Sequence, residues 1–463
     1  MDVSCAIDLG TSAVKVLLAD ADGQVQARAA ASYPVRAPRP GWAESEPGDW
    51  RAAVGSAVAE AQQQSPASRV VTVGLDGQMH GLVLSAAGRA VRPALLWPDT
   101  RAEQVAEDWQ RLDEPVLARL ANPVAPGMYG PLLEWLLHHE PALLARAEVA
   151  LPPKDWLRSA VLAPGSDPVT EPSDASATLL WDAPADDWHR DLARLRGLPQ
   201  ALLPRLRRPS EAVARTGPGS PLPSGLPVAT GAGDTAATLA GLQLASDEVL
   251  VNLGTGTQVC QSCPAPEPTA YPDCHHYADA HGGHYAMVAP QNGGLVLQRV
   301  LQLLGADWDE LYAALDQPDP GSVRFSPWLT SDRLPRRPGQ RAGWSGIGLD
   351  TSRADLLRAA LEAVAFQVRA AVARLPRRPG RIRFAGGGTR DQRMRQLVCD
   401  LTGLPGRRSA VVDATALGAA RLGWEAAGAD LAWEPAVAPG LTEPHPAPGL
   451  LERSEQLAAE TAG

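Results

Sequence analysis

The chain has 463 residues, with 42 Lys and Arg against 52 Asp and Glu, for a formal net charge of −10. An acidic chain without a basic run lacks the clustered positive charge that binds phosphate backbones, which excludes a nucleic-acid partner, and no segment approaches the roughly 20 uninterrupted apolar residues of a membrane span. Of the 42 basic residues, 40 are Arg; the two lysines, Lys15 and Lys154, are followed by Val16 and Asp155, so a Gly-Lys-Ser/Thr phosphate loop is excluded as well.

A chain of this length with 45% hydrophobic residues suggests two large domains, each with its own core. Five cysteines, odd in number and sparse, fit reduced thiols, and Met1-Asp2-Val3-Ser4 carries no basic leader, so a cytoplasmic location is expected.

In chain order, an apolar strand from Ser4 runs into Asp8-Leu9-Gly10-Thr11-Ser12, then a return strand from Ala13 to Ala19. Val70 to Leu75 is a short apolar run, and Ala102 to Leu112 and Pro131 to Leu137 have helical spacing. Pro227 to Ala229 reads as a strand, and Gly231 to Ala237 opens a helix. Half a chain beyond the first hairpin, Val249 to Val259 repeats its pattern around Asn252-Leu253-Gly254-Thr255-Gly256-Thr257, which indicates two similar domains facing each other. Helices follow at Leu295 to Leu304, Arg353 to Val372 and Asp391 to Leu401, with a strand at Arg381 to Ala385. Such alternation implies α/β layers. Proline-rich loops are expected at Ala37 to Pro40, Pro335 to Arg341 and Glu434 to Pro448, the last leading into a C-terminal helix.

Asp8 ends a buried strand beside a Gly and two hydroxyls, a turn whose amides can bind phosphate while the carboxylate holds Mg²⁺; an ordinary hairpin turn is the alternative. The second Gly-Thr turn favours function, since two such turns across a cleft can clamp a polyphosphate. Asp234 near a helix start is either an N-cap or a base that accepts a hydroxyl proton. Gly77-Gln78-Met79-His80-Gly81 places polar groups at a strand end. Trp97, Asp99 and Arg101 suit a polyhydroxylated ligand by stacking and bidentate hydrogen bonds, or form a loop salt bridge over a core Trp. Gly386, Gly387 and Gly388 after a strand let a flat ring lie against the backbone. The small residues Ala416-Leu417-Gly418-Ala419-Ala420 read as close helix packing. Cys260, Cys263, Cys274, His275, His276, His281 and His284 lack zinc-finger spacing, and two cysteines three apart on one strand face opposite ways.

Together these segments resemble the FGGY carbohydrate kinases over nearly the whole chain. The resemblance rests on Ile7 to Ser12, Gly77 to Gly81, Leu96-Trp97 with Asp99 and Arg101, Leu151 to Leu157 with its Pro153-Lys154-Asp155-Trp156, Ser173 to Ser176, Gly231 to Ala236, Leu253 to Gly256, Cys274-His275, Gly386 to Gly388 and Ala416 to Ala420. Ala342, Trp344, Gly346-Ile347, Asp355-Leu356 and Ala359 to Glu362 add the family's C-terminal signature. It implies two ribonuclease-H-like domains of the actin and hexokinase ATPase type, residues 1–243 and 244–463, with the active site in the cleft between them. By the same resemblance Asp234 is the catalytic base and Asp8 the Mg²⁺ and phosphate residue. Gln78, Met79, His80, Trp97, Asp99 and Arg101 then contact the sugar. Gly10, Thr11, Ser12 and Gly254, Thr255, Gly256, Thr257 hold phosphate, and Gly386 to Gly388 hold adenosine.

ATP and Mg²⁺ are thus the expected cofactors and a small sugar the partner; a homodimer is compatible with the sequence, which leaves oligomeric state open. The expected reaction is ATP-dependent phosphorylation of a ketopentose at its terminal hydroxyl, D-xylulose first. Another ketose or polyol, and a non-catalytic sensor on the same fold, are the alternatives. The chain departs from the D-xylulose-acting pattern at Thr235 (Asn there), Pro98 and Thr100 (Asn and Gly), Leu132 (Lys) and Ser331 to Pro335. In so Arg-biased a composition, Lys15 and Lys154 are expected to occupy sites that Arg cannot fill.

Overall fold

The computed structural model describes residues 1–317, 321–329, 341–434 and 436–460. The loop expected at Pro335 to Arg341, apart from Arg341, and the departure at Ser331 to Pro335 lie outside them.

The first half forms a mixed sheet around β1 (Asp2–Leu9), β2 (Ala13–Ala19), β3 (Val25–Ser32), β4 (Arg69–Gly77), β5 (Ala212–Arg215) and β6 (Pro227–Ala229), ordered β5-β6-β4-β1-β2-β3. The two-residue strand β7 (Ala232–Gly233) also pairs with β4. β1 is antiparallel to β2 and parallel to β4, with Asp8 opposite both Lys15 and Asp76. Nearly every residue of β1 and β4 is buried, the pattern of central strands covered on both faces. Helix α1 (Pro47–Gln64) lies on one face, directing Trp50, Val54, Ala57, Val58 and Ala61 inward.

The second half repeats the plan with β8 (Glu248–Leu253), β9 (Thr257–Cys263), β10 (His275–Ala278), β11 (His284–Val288), β12 (Arg381–Ala385) and β13 (Gly406–Arg408), ordered β10-β11-β9-β8-β12-β13. Again a hairpin, β8 and β9, has a parallel strand, β12, on its outer side. The repeated Leu-Gly-Thr turns therefore occupy matching places in two sheets.

Two helices join the halves. Helix α2 (Asp234–Leu242) starts where β7 ends, and helix α3 (Ala414–Ala426), although it comes from the second half, packs against α2, β1, β2 and β4. The contact is backbone to backbone: a Cβ at Gly74 would strike the carbonyl of Ala419, and one at Gly418 the carbonyl of Ala237. The small-residue face expected to pack closely does so. Cys260 and Cys263 lie on one strand, the first fully buried and the second partly exposed. Among the described residues no helix is long and apolar enough to cross a membrane.

Candidate active site

Asp234 is the first residue of α2, after the N-cap Gly233. It is not itself the cap. Its Oδ1 accepts hydrogen bonds from the Thr235 amide at 2.6 Å and the Thr235 hydroxyl at 3.2 Å, leaving the other oxygen outside this pairing. Burial, then the nearby Asp8 carboxylate, push its carboxyl up to about 6, opposed by the Thr235 hydrogen bonds. A carboxylate poised there can accept a proton near neutral pH.

A cavity of about 340 Å³ brings Asp234 together with Thr11 of the first turn, Met79, His80 and Trp97, and Gly254 to Thr257 of the second turn. The Trp97 indole donates to Thr11 Oγ1 at 2.9 Å, joining the Trp97 wall of the cavity to the first Gly-Thr turn. His80 has φ 71° and its Nδ1 lies 2.8 Å from the Ala177 carbonyl. Met79 packs under Gly233, with Sδ 3.7 Å from the Tyr285 hydroxyl. In the second turn Gly254, Thr255 and Gly256 are exposed, and the Gly254 and Thr255 carbonyls accept the amides of Gly294 and Leu295 at the start of the helix Gly294–Leu304.

Gly386 to Gly388 lie beside that turn. Gly386 has φ 83° and, like Gly388, abuts Leu253, the residue before Gly254; a Cβ on Gly388 would come within 2.6 Å of the Leu253 side chain. Gly387 faces open space.

Other expected residues stand elsewhere. Gln78 is buried behind the first turn, where its Nε2 donates to the Gly10 carbonyl at 3.3 Å, and Ser12 is on the exposed rim. Asp99 and Arg101 do not offer side chains to a ligand: both are fully buried, paired at 2.8 Å, with Arg101 also on Glu44 at 2.7 Å and its guanidinium 3.7 Å above the Trp42 ring. Their expected sugar contacts are corrected to a structural ion pair, over Trp42 and Trp135 rather than Trp97. The reason is that Asp99 accepts the amides of both Arg101 and the distant Ala43, and so ties its loop to the segment before α1.

Sequence reasoning missed Asp76. It is fully buried, its two carboxylate oxygens have no hydrogen-bond donor, and burial followed by the Asp8 and Asp234 charges pushes its carboxyl well above the usual range. The signal was present, because Val70 to Asp76 repeats the pattern of an apolar strand ending in Asp that singled out Asp8. Asn252, Gln258, Met287 and Gln291 also line the cavity and were not anticipated. Lys15 spans the halves, with Nζ 3.6 Å from Asp8 and 3.7 Å from Asp413, the residue before α3.

Among the described residues no group of three His, Cys, Asp or Glu is arranged to hold a metal ion alone. The oxygen donors Asp8 and Asp76, side by side at the foot of the first Gly-Thr turn, fit Mg²⁺, which takes one or two carboxylates and completes its shell with water and phosphate.

Two matching sheets with a turn from each opposed across a cavity, and a carboxylate at its floor, define a two-domain α/β ATPase of the actin type. The profile described as "FGGY family of carbohydrate kinases, N-terminal domain" matches residues 3–241, and that of the C-terminal domain residues 249–427. Similar proteins include the xylulose kinase of Klebsiella pneumoniae, 31% identical over 90% of this chain and 88% of that protein. The glycerol kinase of Alkalilimnicola ehrlichii is 30% identical over 92% and 91%. A Brucella ovis structure described as a xyloylose kinase superposes with a TM-score of 0.89 at 30% identity, covering 99% of this chain and 98% of that one. The chain belongs to the FGGY family of carbohydrate kinases, and it is a kinase of that class.

Proposed function

We propose that this kinase transfers the γ-phosphoryl group of ATP to the terminal hydroxyl of a ketopentose, with D-xylulose as the first-choice acceptor and D-xylulose 5-phosphate as product. The observation that carries the reading is Asp234: a carboxylate held near neutral pKa, in one cavity with both Gly-Thr turns. Asp234 takes the proton of the attacking hydroxyl, while Thr11 and the exposed amides from Gly254 to Gly256 hold the phosphates. Met79, His80 and Trp97 form the sugar side, and the open backbone at Gly387 receives the adenosine. Asp8, backed by Asp76, holds Mg²⁺, which supplies charge neutralisation to the phosphates when bound. The division into domains at residues 1–243 and 244–463 belongs to the same reading, supported by profile matches that meet between residues 241 and 249. Five free cysteines accord with a cytoplasmic setting.

A second reading, a different ketose or polyol as acceptor, is favoured by Pro98 beside Trp97, by the Thr235 hydroxyl on Asp234, and by glycerol kinases of comparable similarity. Coupled ADP release across pentuloses, hexuloses and polyols separates the two. Saturable turnover on D-xylulose above all others supports the first reading, and preference for another acceptor replaces it with the second. Silence on every acceptor leaves a non-catalytic binder.

A further inference from the structure

Lys154 is fully buried, far in character from an ordinary surface lysine, and its ammonium sits among three carboxylates: Asp155 at 2.8 Å, Asp174 at 3.0 Å and Glu171 at 3.2 Å. Burial is opposed by those charges, and the balance holds the ammonium above its usual range. Glu171 in turn receives the Ser173 hydroxyl at 2.9 Å, together with the amides of Ser173 and Asp174. Because a carboxylate can only accept, the Ser173 proton points toward it, and the lone pair on Ser173 Oγ is left to accept the Gly233 amide at 2.8 Å. Gly233 is the N-cap residue immediately before Asp234. On the other side of the same turn, Arg158, itself bonded to Asp155, donates to the Thr230 carbonyl at 2.7 Å.

We infer that Lys154, Glu171 and Ser173 form a positioning relay that aims the Asp234 carboxylate by holding the Gly233 amide. This rests on the proposed role of Asp234 as base. The relay explains why lysine stands here: three carboxyl groups crowd within 3.2 Å of one point, a closed space that suits a compact ammonium rather than a planar guanidinium. Space is also closed, since Gly77 lies against the Lys154 Cβ. The buried ion cluster therefore acts on the chemistry without touching a ligand.

The test uses the full chain, comparing the parent, Asp234→Ala, Ser173→Ala and Lys154→Arg in coupled ADP release on the best acceptor of the panel, with ATP binding and thermal melting alongside. Ser173→Ala removes one hydroxyl and opens almost no cavity, so its fold should persist. The expected result is a kcat at least about tenfold lower, with ATP KM within about twofold and an almost unchanged melting temperature, because a small misplacement of a reacting group affects the chemical step. Lys154→Arg should lower kcat in any fraction that folds. Full kcat in Ser173→Ala, beside an inactive Asp234→Ala, overturns the relay alone. Turnover by Asp234→Ala, or an inactive parent, overturns the reading beneath it. A loss in Ser173→Ala explained by a lowered melting temperature assigns the cluster to stability and also refutes the relay.

Discussion

Asp76 lies directly across the parallel ladder from Asp8, one strand over, fully buried and without a hydrogen-bond donor on either carboxylate oxygen. Burial and the neighbouring charges hold its carboxyl well above the usual range. The folded chain therefore keeps this proton where the unfolded chain, titrating near about 3.9, has lost it. Stability from this group is greatest at low pH and falls as pH rises through that window. Asp76→Asn removes the effect, so in metal-free protein its melting temperature should gain on the parent from about pH 4 toward neutrality. Melting curves at both pH values check this; a constant difference between variant and parent would contradict it.

Asp234 predicts the pH dependence of turnover. With its carboxyl at about 6, the ionised form that accepts a proton declines below that pH, so kcat/KM should fall on the acid side and level off above it. Asp234→Asn should lose roughly 10²-fold or more in kcat while ATP binding stays within about twofold. A parent profile flat between pH 5 and pH 7 would be incompatible with this assignment.

The three glycines after β12 separate packing from ligand contact. Gly388→Ala meets the Leu253 side chain and should cost about 1–3 kcal/mol of stability. Gly387→Ala meets nothing within 4 Å, so its melting should match the parent while its ATP KM rises, if adenosine lies there. Unchanged ATP KM in Gly387→Ala would remove the adenosine contact from this turn.

Arg101 offers the converse case. Its guanidinium bridges Asp99 and Glu44 and stacks on Trp42, so Arg101→Lys should lose about 2 kcal/mol of stability and leave acceptor KM unchanged in the folded fraction. A tenfold rise in acceptor KM at constant melting temperature would restore the sugar contact first expected.

Elements with strong local signals were legible before any coordinates. The strands Pro227–Ala229 and Arg381–Ala385 fall where expected, and the helices Gly294–Leu304 and Arg353–Ala373 differ by one residue at one end. Their periodicity and caps are local; the capping box at Ser352 and Asp355 marks a helix start within four residues. The helix expected from Ala102 to Leu112 is shorter, Glu103–Trp109, losing one residue at its start and three at its end. Asp99 and Arg101 show the limit of motif reading: two charges beside an aromatic look alike whether they face a ligand or a core. Asp76 was hidden for the opposite reason, since only the ladder register reveals that it stands beside Asp8.

Helix α3 reaches across from the far end of the sequence to cover the first sheet, whose last strand ends at Gly233, with Gly74 of β4 against Ala419. During synthesis the first sheet is complete long before its cover exists. Until roughly nine-tenths of the chain has emerged, one apolar face and the outer side of the Asp234 helix stay open to solvent, so the two halves cannot finish folding one after the other. The helix that bears the proposed base acquires its final packing only with the last third of the second half, which ties completion of the active site to completion of the chain.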